Sequence, residues 1–229
     1  EEKTIANLIK EINKINPYEI IIVVNGSTDK TAQIVKSLKC TLIEYKDALG
    51  INLGKAIGAL YAKGDILIFT DGDIVIKSQL LLPFVKAIES GYDVALNDLT
   101  WSVNRKNRHP TAISKRALNI FLRREDLLVN SFTAIPHSIS REALKKIGWW
   151  NLVDPPLAQT IGVTNNLTFK SAEAVNVLST NPNRQVHRKI SNNSPYPIST
   201  SRVIGDHIKA INYIIKKVDK RGGFYDGRD

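Results

Sequence analysis

Short apolar runs and amphipathic stretches alternate along the first hundred residues. Residues 19–24, 41–45, 66–70 and 93–97 are rich in Ile, Val and Leu. They are too short for helices, are bounded by turn residues and read as buried strands. The stretches 2–14, 31–38, 54–63 and 78–89 lie before, between and after these runs and read as helices. This rhythm predicts an α/β fold, a mainly parallel sheet flanked by crossover helices. It also predicts that 20–24 and 66–70 are neighbouring central strands. Past Asn97-Asp98 the pattern gives way to a polar stretch ending at Pro110, read as a loop over the site. A helix over 112–124, an extended segment over 132–139 and a helix over 140–147 follow. Pro155-Pro156 opens a further helix to about Gly162, in keeping with proline's place in a first turn. A returning strand within 168–178, a Pro/Ser/Asn-rich loop over 191–201 and an amphipathic helix over 201–218 complete the chain.

At 229 residues and 43% hydrophobic, the chain has enough apolar surface for one domain. No run of about twenty apolar residues is present to span a bilayer. The single cysteine, Cys40, excludes an internal disulfide and argues against a Cys/His zinc site. The formal net charge is +10, with basic residues gathered at Arg105-Lys106-Asn107-Arg108, Lys115-Arg116, Arg123-Arg124 and from Arg184 to Arg228. Most are read as solvated faces and helix ends; a minority are available to a diphosphate or an anionic acceptor. The aromatics are not interleaved with the basic clusters, so a nucleic-acid partner is not expected. The expected location is the cytoplasm, with peripheral contact at a membrane surface.

Candidate chemistry centres on Asp71-Gly72-Asp73, which closes the apolar run 66–70. Two carboxylates separated by a residue with no side chain can turn toward one small volume. In an open α/β sheet, the crevice beyond the strand carboxyl ends is where ligands bind. Mg²⁺ and Mn²⁺ favour oxygen ligands, commonly one or two carboxylates completed by substrate phosphates. The run 19–24 ends similarly, in Asn25-Gly26-Ser27-Thr28-Asp29-Lys30-Thr31. A strand, a small polar turn and a helix start can receive a phosphate or a ribose. Lys55, at the start of the helix over 54–63, can reach a phosphate. Asp65 either caps the turn before its strand or meets Lys55.

In these elements the chain resembles the family 2 type of GT-A glycosyltransferases, which use nucleotide-diphosphate sugars. The turn Asn25 to Thr31 stands where the family has D-G-S-T-D-x-T. Ala62-Lys63-Gly64-Asp65 through Asp71-Gly72-Asp73 stands where it has A-x-G-D-hydrophobic-D-x-D. Glu1-Glu2-Lys3-Thr4-Ile5 stands near its N-E-x-x-x-I start. The resemblance implies a single GT-A domain over 1–229, with a nucleotide-sugar half (1–100), an acceptor half (101–180) and a C-terminal loop and helix (181–229). It implies hexosyl transfer, a donor site at Asn25, Ser27, Asp29, Lys55, Asp71, Gly72 and Asp73, and Mn²⁺ or Mg²⁺ on Asp71 and Asp73. It also implies His187 as a further metal ligand. Two departures stand out. Val24 and Asn25 occupy positions where the family often has paired acids, and the family's first strand is not found before residue 1.

The acceptor half carries fewer signals. Residues 140–148 fit the family's R-x-x-h-x-x-h-G helix, and Asp154 falls where the family's base belongs. A lone Asp before Pro155-Pro156 also suits a helix cap. His137 is a candidate for acceptor or phosphate contact, whereas His109 and His207 read as structural. Two other classes share the acid corner. One is a nucleotidyltransferase, which needs an N-terminal Gly-rich basic loop; the other is a nucleotide-sugar binder without a catalytic base.

Overall fold

The structure is a computed structural model and describes residues 1–103, 109–177, 195–225 and 227. Helix α1 (Ile5–Asn13) leads to β1 (Ile21–Asn25), α2 (Thr31–Lys36), β2 (Thr41–Tyr45), α3 (Leu53–Tyr61) and β3 (Ile66–Phe69). Then come α4 (Ser78–Glu89), β4 (Val94–Asn97), α5 (Pro110–Phe121), β5 (His137–Ser140), α6 (Arg141–Ile147), α7 (Pro155–Thr164), β6 (Phe169–Glu173) and α8 (Ile198–Lys217). Nearly every element expected from the apolar rhythm is present, within a few residues of its expected ends.

The pairing of the strands differs from expectation. β1 and β2 form a parallel two-stranded sheet, while β3, β5, β4 and β6 form a separate four-stranded one in that order. The expected adjacency of 20–24 and 66–70 is therefore not found among the described residues. β1 pairs only with β2, and β3 pairs only with β5. Helix α3 spans the two sheets. Its Gly54 and Gly58 lie against Val23 of β1, and its Ala56 and Ala59 pack with Leu67 and Phe69 of β3. In the larger sheet β3, β4 and β6 run in one direction, as a mainly parallel sheet requires, and β5 is inserted against them. β5 runs antiparallel to both β3 and β4, while β4 and β6 are parallel. An apolar run does not carry its own direction, so β5 was legible as extended but not as inserted between β3 and β4.

Alternation along these strands fixes which side chains face which layer. Val94 and Leu96 join a core with Phe69, Phe132, Ile139, Leu144 and Ile147, beneath α3, α6 and α7. Ala95 faces the opposite side, where Leu81, Phe84, Ala87 and Ile88 of α4 cover the sheet. Phe84 is fully buried, and its burial contributes roughly 2–3 kcal/mol. Local signals set the helix starts. Ser140 accepts a hydrogen bond from the Ala143 amide, His109 accepts from the Thr111 amide, and the Glu11 carboxylate of α1 accepts from the Ser78 amide that opens α4.

Gly26, just past β1, is a turn residue whose identity is dictated twice. Its φ is +67°, and a Cβ there would lie 2.7 Å from the backbone of Ala48. Gly26→Ala is expected to lower stability by about 2 kcal/mol or more, since both left-handed strain and a backbone clash are unrelieved. Urea denaturation of the variant checks this.

Candidate functional site

The acid corner lies at the carboxyl end of β3. Phe69 ends the strand, Thr70 follows, and Asp71-Gly72-Asp73 forms a turn closed by the Ile74 amide on the Asp71 carbonyl. The Gly72 carbonyl accepts a 2.8 Å hydrogen bond from Thr4 Oγ1, which anchors the turn to the start of α1. Asp73 Oδ1 is buried, whereas the Asp71 side chain is about half exposed. Lys55, in the first turn of α3, reaches across from the neighbouring layer. Its Nζ lies 2.9 Å from Asp71 Oδ1. Lys55 thus meets Asp71 rather than Asp65, whose backbone carbonyl instead takes the Arg141 amide.

His137 is held directly beside this pair. It stands opposite Phe69 in the β3–β5 register and stacks between Phe69 and Phe132, with ring centroids 5.1 and 5.2 Å away. Its Nδ1 lies 2.9 Å from the Ala134 carbonyl oxygen, which fixes Nδ1–H as the donor and leaves Nε2 as an acceptor. Burial, reinforced by the Lys55 ammonium, lowers its pKa to about 4. The imidazole is therefore neutral near pH 7. Lys55, Phe69, Phe132, His137, Leu152 and Pro155 line a small recess of about 10 Å³, room for about one water molecule. A larger open groove of about 640 Å³ lies on α2 and β2, lined by Asp29, Gln33, Lys36 and Glu44 among others. It contains neither carboxylate of the acid corner, so volume and candidate chemistry do not coincide.

The turn after β1 is strongly self-bonded. Asn25 Nδ2 donates to the Gly50 carbonyl at 2.7 Å, and Asn25 Oδ1 accepts from the Leu49 amide at 2.6 Å, pinning the 47–52 loop. Asp29 Oδ1 accepts from the Thr31 amide and from the Ser27 hydroxyl, while its Oδ2 accepts from the Glu1 amino group and the Glu2 amide. Asn25, Ser27 and Asp29 thus spend their side-chain polar atoms on shaping the turn.

Asp154 sits at the start of α7 and is nearly buried. Oδ1 accepts from the Leu157 amide at 3.3 Å, and Oδ2 pairs with Lys209 Nζ of α8 at 2.7 Å. Hydrogen bonding to Asp154 raises the Lys209 pKa. The following residue, Pro155, lines the recess of Lys55 and His137, while the Asp154 carboxylate itself is taken up by α7 and α8. His187 lies outside the described residues.

Sequence reasoning missed a buried amide network behind the site. Asn119 Nδ2 donates to the Leu128 and Asn130 carbonyls and its Oδ1 accepts from Gln159 Nε2, whose Oε1 accepts from the Phe132 amide. Asn130 Oδ1 accepts from the Leu99 amide, and Asn97 Nδ2 donates to the Ile135 and Val175 carbonyls. These bonds satisfy loop backbone that would otherwise be buried unpaired, and they set the path of 128–136 toward His137. Isolated amides in a sequence look like surface residues; the available signal was their occurrence inside otherwise apolar stretches.

Among the described residues no three His, Cys, Asp or Glu side chains gather as a metal-binding group. Asp71 and Asp73 offer oxygen donors only. That set suits a hard cation whose remaining positions are filled by phosphate oxygens and water. Lys55 already places one positive charge on Asp71, in keeping with a corner built for cationic charge.

The α/β fold is that of solved sugar-nucleotide transferases of the GT-A type. Glucosyl-3-phosphoglycerate synthase from Mycobacterium tuberculosis, solved with Mn²⁺, UDP and phosphoglyceric acid, matches with a TM-score of 0.62 at 19% identity, covering 99% of this chain and 76% of that one. The mannosyltransferase PcManGT from Pyrobaculum calidifontis, in complex with GDP-Man and Mn²⁺, matches with a TM-score of 0.57 at 15% identity, covering 95% and 72%. The chain belongs to glycosyl transferase family 2, whose family model matches residues 1–148. The putative glycosyltransferase CsbB of Bacillus subtilis is 34% identical over 94 residues, covering 38% of this chain and 28% of that protein. YfnE, an uncharacterized glycosyltransferase of the same organism, is 31% identical over 88 residues, covering 37% and 22%. The matched stretches thus span less than a third of either relative's length.

Proposed function

We propose that the chain transfers a sugar, a hexose, from a nucleotide-diphosphate sugar to an acceptor hydroxyl or phosphate, with a divalent cation at the acid corner. The observation that carries this reading is the pairing of Lys55 with Asp71 just past the carboxyl end of β3, where Asp73, its Oδ1 buried, follows two residues on. The similar fold of two enzymes solved with Mn²⁺ and nucleotides supports it. Asp73 and Asp71 would hold Mn²⁺ or Mg²⁺, which, when bound, supplies charge neutralisation at the leaving nucleoside diphosphate. Lys55 adds a second positive charge beside it. Asn25, Ser27 and Asp29 shape the turn that would receive the nucleoside, and Gly72 keeps the corner open between its two acids. His137 stays neutral behind Lys55 and fixes the apolar wall of Phe69 and Phe132.

Incubation with a panel of nucleotide sugars and Mn²⁺ tests the reading. Release of nucleoside diphosphate supports sugar transfer. Pyrophosphate release would indicate nucleotidyl transfer, and binding without turnover would indicate a binder.

Asp154 is the candidate base for direct displacement from its place before Pro155-Pro156, and as base it would have to leave the Leu157 amide or Lys209 to reach an acceptor. Asp154→Asn separates chemistry from structure. Asn caps a helix as well as Asp does, and the lost partner Lys209 is mostly exposed, so folding should be little affected. We expect turnover to fall by about 10² to 10⁴ with the melting temperature nearly unchanged. A rate within a few-fold of the parent would remove Asp154 as base and leave it as the clamp between α7 and α8.

A further inference from the structure

The geometry points to a docking surface for an anionic lipid bilayer on the outer face of α8 and the turn that follows it. α8 is two-sided. Thr200, His207, Ala210 and Ile214 are buried, and Ala210 and Ile214 pack on Leu118 and Leu122 of α5. The outward side carries Arg202, Lys209, Lys216 and Lys217 at helical spacing, with Ile208 at its edge; Val218, Lys220 and Arg221, at the end of the helix and just past it, are exposed too. Over 198–221 six cations stand with two carboxylates, Asp206 and Asp219, and one of the six, Lys209, is paired with Asp154. Asp219 is exposed and accepts from the Arg221 and Gly223 amides of its own loop.

Two apolar side chains near these charges are about half exposed. Ile208 is 52% exposed and Val218 is 58% exposed. A cationic helix face with aliphatic side chains on it and low overall hydrophobicity lies in an interface rather than across it. In agreement, no helix of the described residues is long and apolar enough to cross a membrane. Phosphate or carboxylate head groups complement the lysines, and the acyl boundary accepts Ile208 and Val218. Nucleic acid fits this face less well, because aliphatic side chains cannot stack on bases and a convex helix offers no groove that tracks a strand. The Lys209–Asp154 pair ties this face to the start of α7, so docking would place the crevice mouth near the bilayer. The inference does not depend on sugar transfer, because binding is measured without turnover.

Co-sedimentation with vesicles tests it, using phosphatidylcholine alone and phosphatidylcholine with about one third phosphatidylglycerol, in about 0.1 M salt. The parent protein should partition to the anionic vesicles only. Lys216→Gln combined with Lys217→Gln should weaken partitioning roughly thirty-fold, at about fivefold per cation. Ile208→Ser combined with Val218→Ser should weaken it about tenfold or more. All four positions are exposed, so circular dichroism should show the parent fold in both variants. Equal partitioning to neutral and anionic vesicles, or none to either, overturns the proposal. It is also overturned if only the lysine variant loses binding while a DNA oligomer competes fully, since that pattern marks a general polyanion surface.

Discussion

Asp73→Ala is expected to lower sugar-transfer turnover by roughly 10³-fold or more, about 4 kcal/mol of transition-state stabilisation, with the fold intact. The residue follows β3 by a short turn, and that turn is held from outside by Thr4 on the Gly72 carbonyl rather than by the Asp73 carboxylate alone. The scaffold should therefore survive the change. Two readouts separate the cation's role from general damage. Calorimetry of the donor with and without Mn²⁺ should show metal-dependent affinity in the parent and none in the variant. The melting temperature should stay within a few degrees. Unchanged affinity in both conditions would move the metal elsewhere. Lys55 pairs with the other acid, so Asp71→Ala should be milder for metal but should also release the lysine.

The second large effect is a loss of stability on mild acidification. His137 and His207 are buried, and burial lowers the pKa of each to about 4. Lys55 and Lys115 lower them further, while backbone carbonyls and the carboxylates of Asp71 and Asp154 oppose the shift in part. In the unfolded chain an imidazole takes its proton near pH 6.5. Between pH 6.5 and about 4 the unfolded state therefore binds more protons, so stability rises with pH there and falls on acidification. Each histidine contributes up to about 3 kcal/mol across the window. Urea denaturation at pH 7 and at pH 4.5 should differ by on the order of 5 kcal/mol, a large part of a typical domain's stability. His207→Gln should remove about half of that slope. A parent protein equally stable at both pH values would mean that these imidazoles are not held neutral.

How much was legible beforehand depends on what kind of signal each feature leaves. Helix α4 and strand β2 appear with the bounds expected from the apolar pattern, because period and length are local properties. The acid corner at the end of β3 was legible for the same reason, since a strand that stops at Asp-Gly-Asp must present those side chains at its carboxyl end. His109, by contrast, was read as structural without its role as cap of α5, because imidazole is an unusual cap. The amides of Asn97, Asn119, Asn130 and Gln159 signalled only burial, by standing in apolar stretches, since the partner of each lies in another element.

The sequence by itself determined the order of strands and helices, the position of Asp71 and Asp73 at a strand end, and the absence of a disulfide. These follow from periodicity, turn chemistry and composition, none of which needs a partner segment. Only the tertiary structure decided that β5 enters antiparallel between β3 and β4, that β1 and β3 do not pair, and that Lys55 meets Asp71 rather than Asp65. It also decided that Asp154 is shared between a helix start and Lys209. Each of these is a choice among chemically equivalent partners, and the choice is made by which layers pack together, a non-local property that no window of sequence contains.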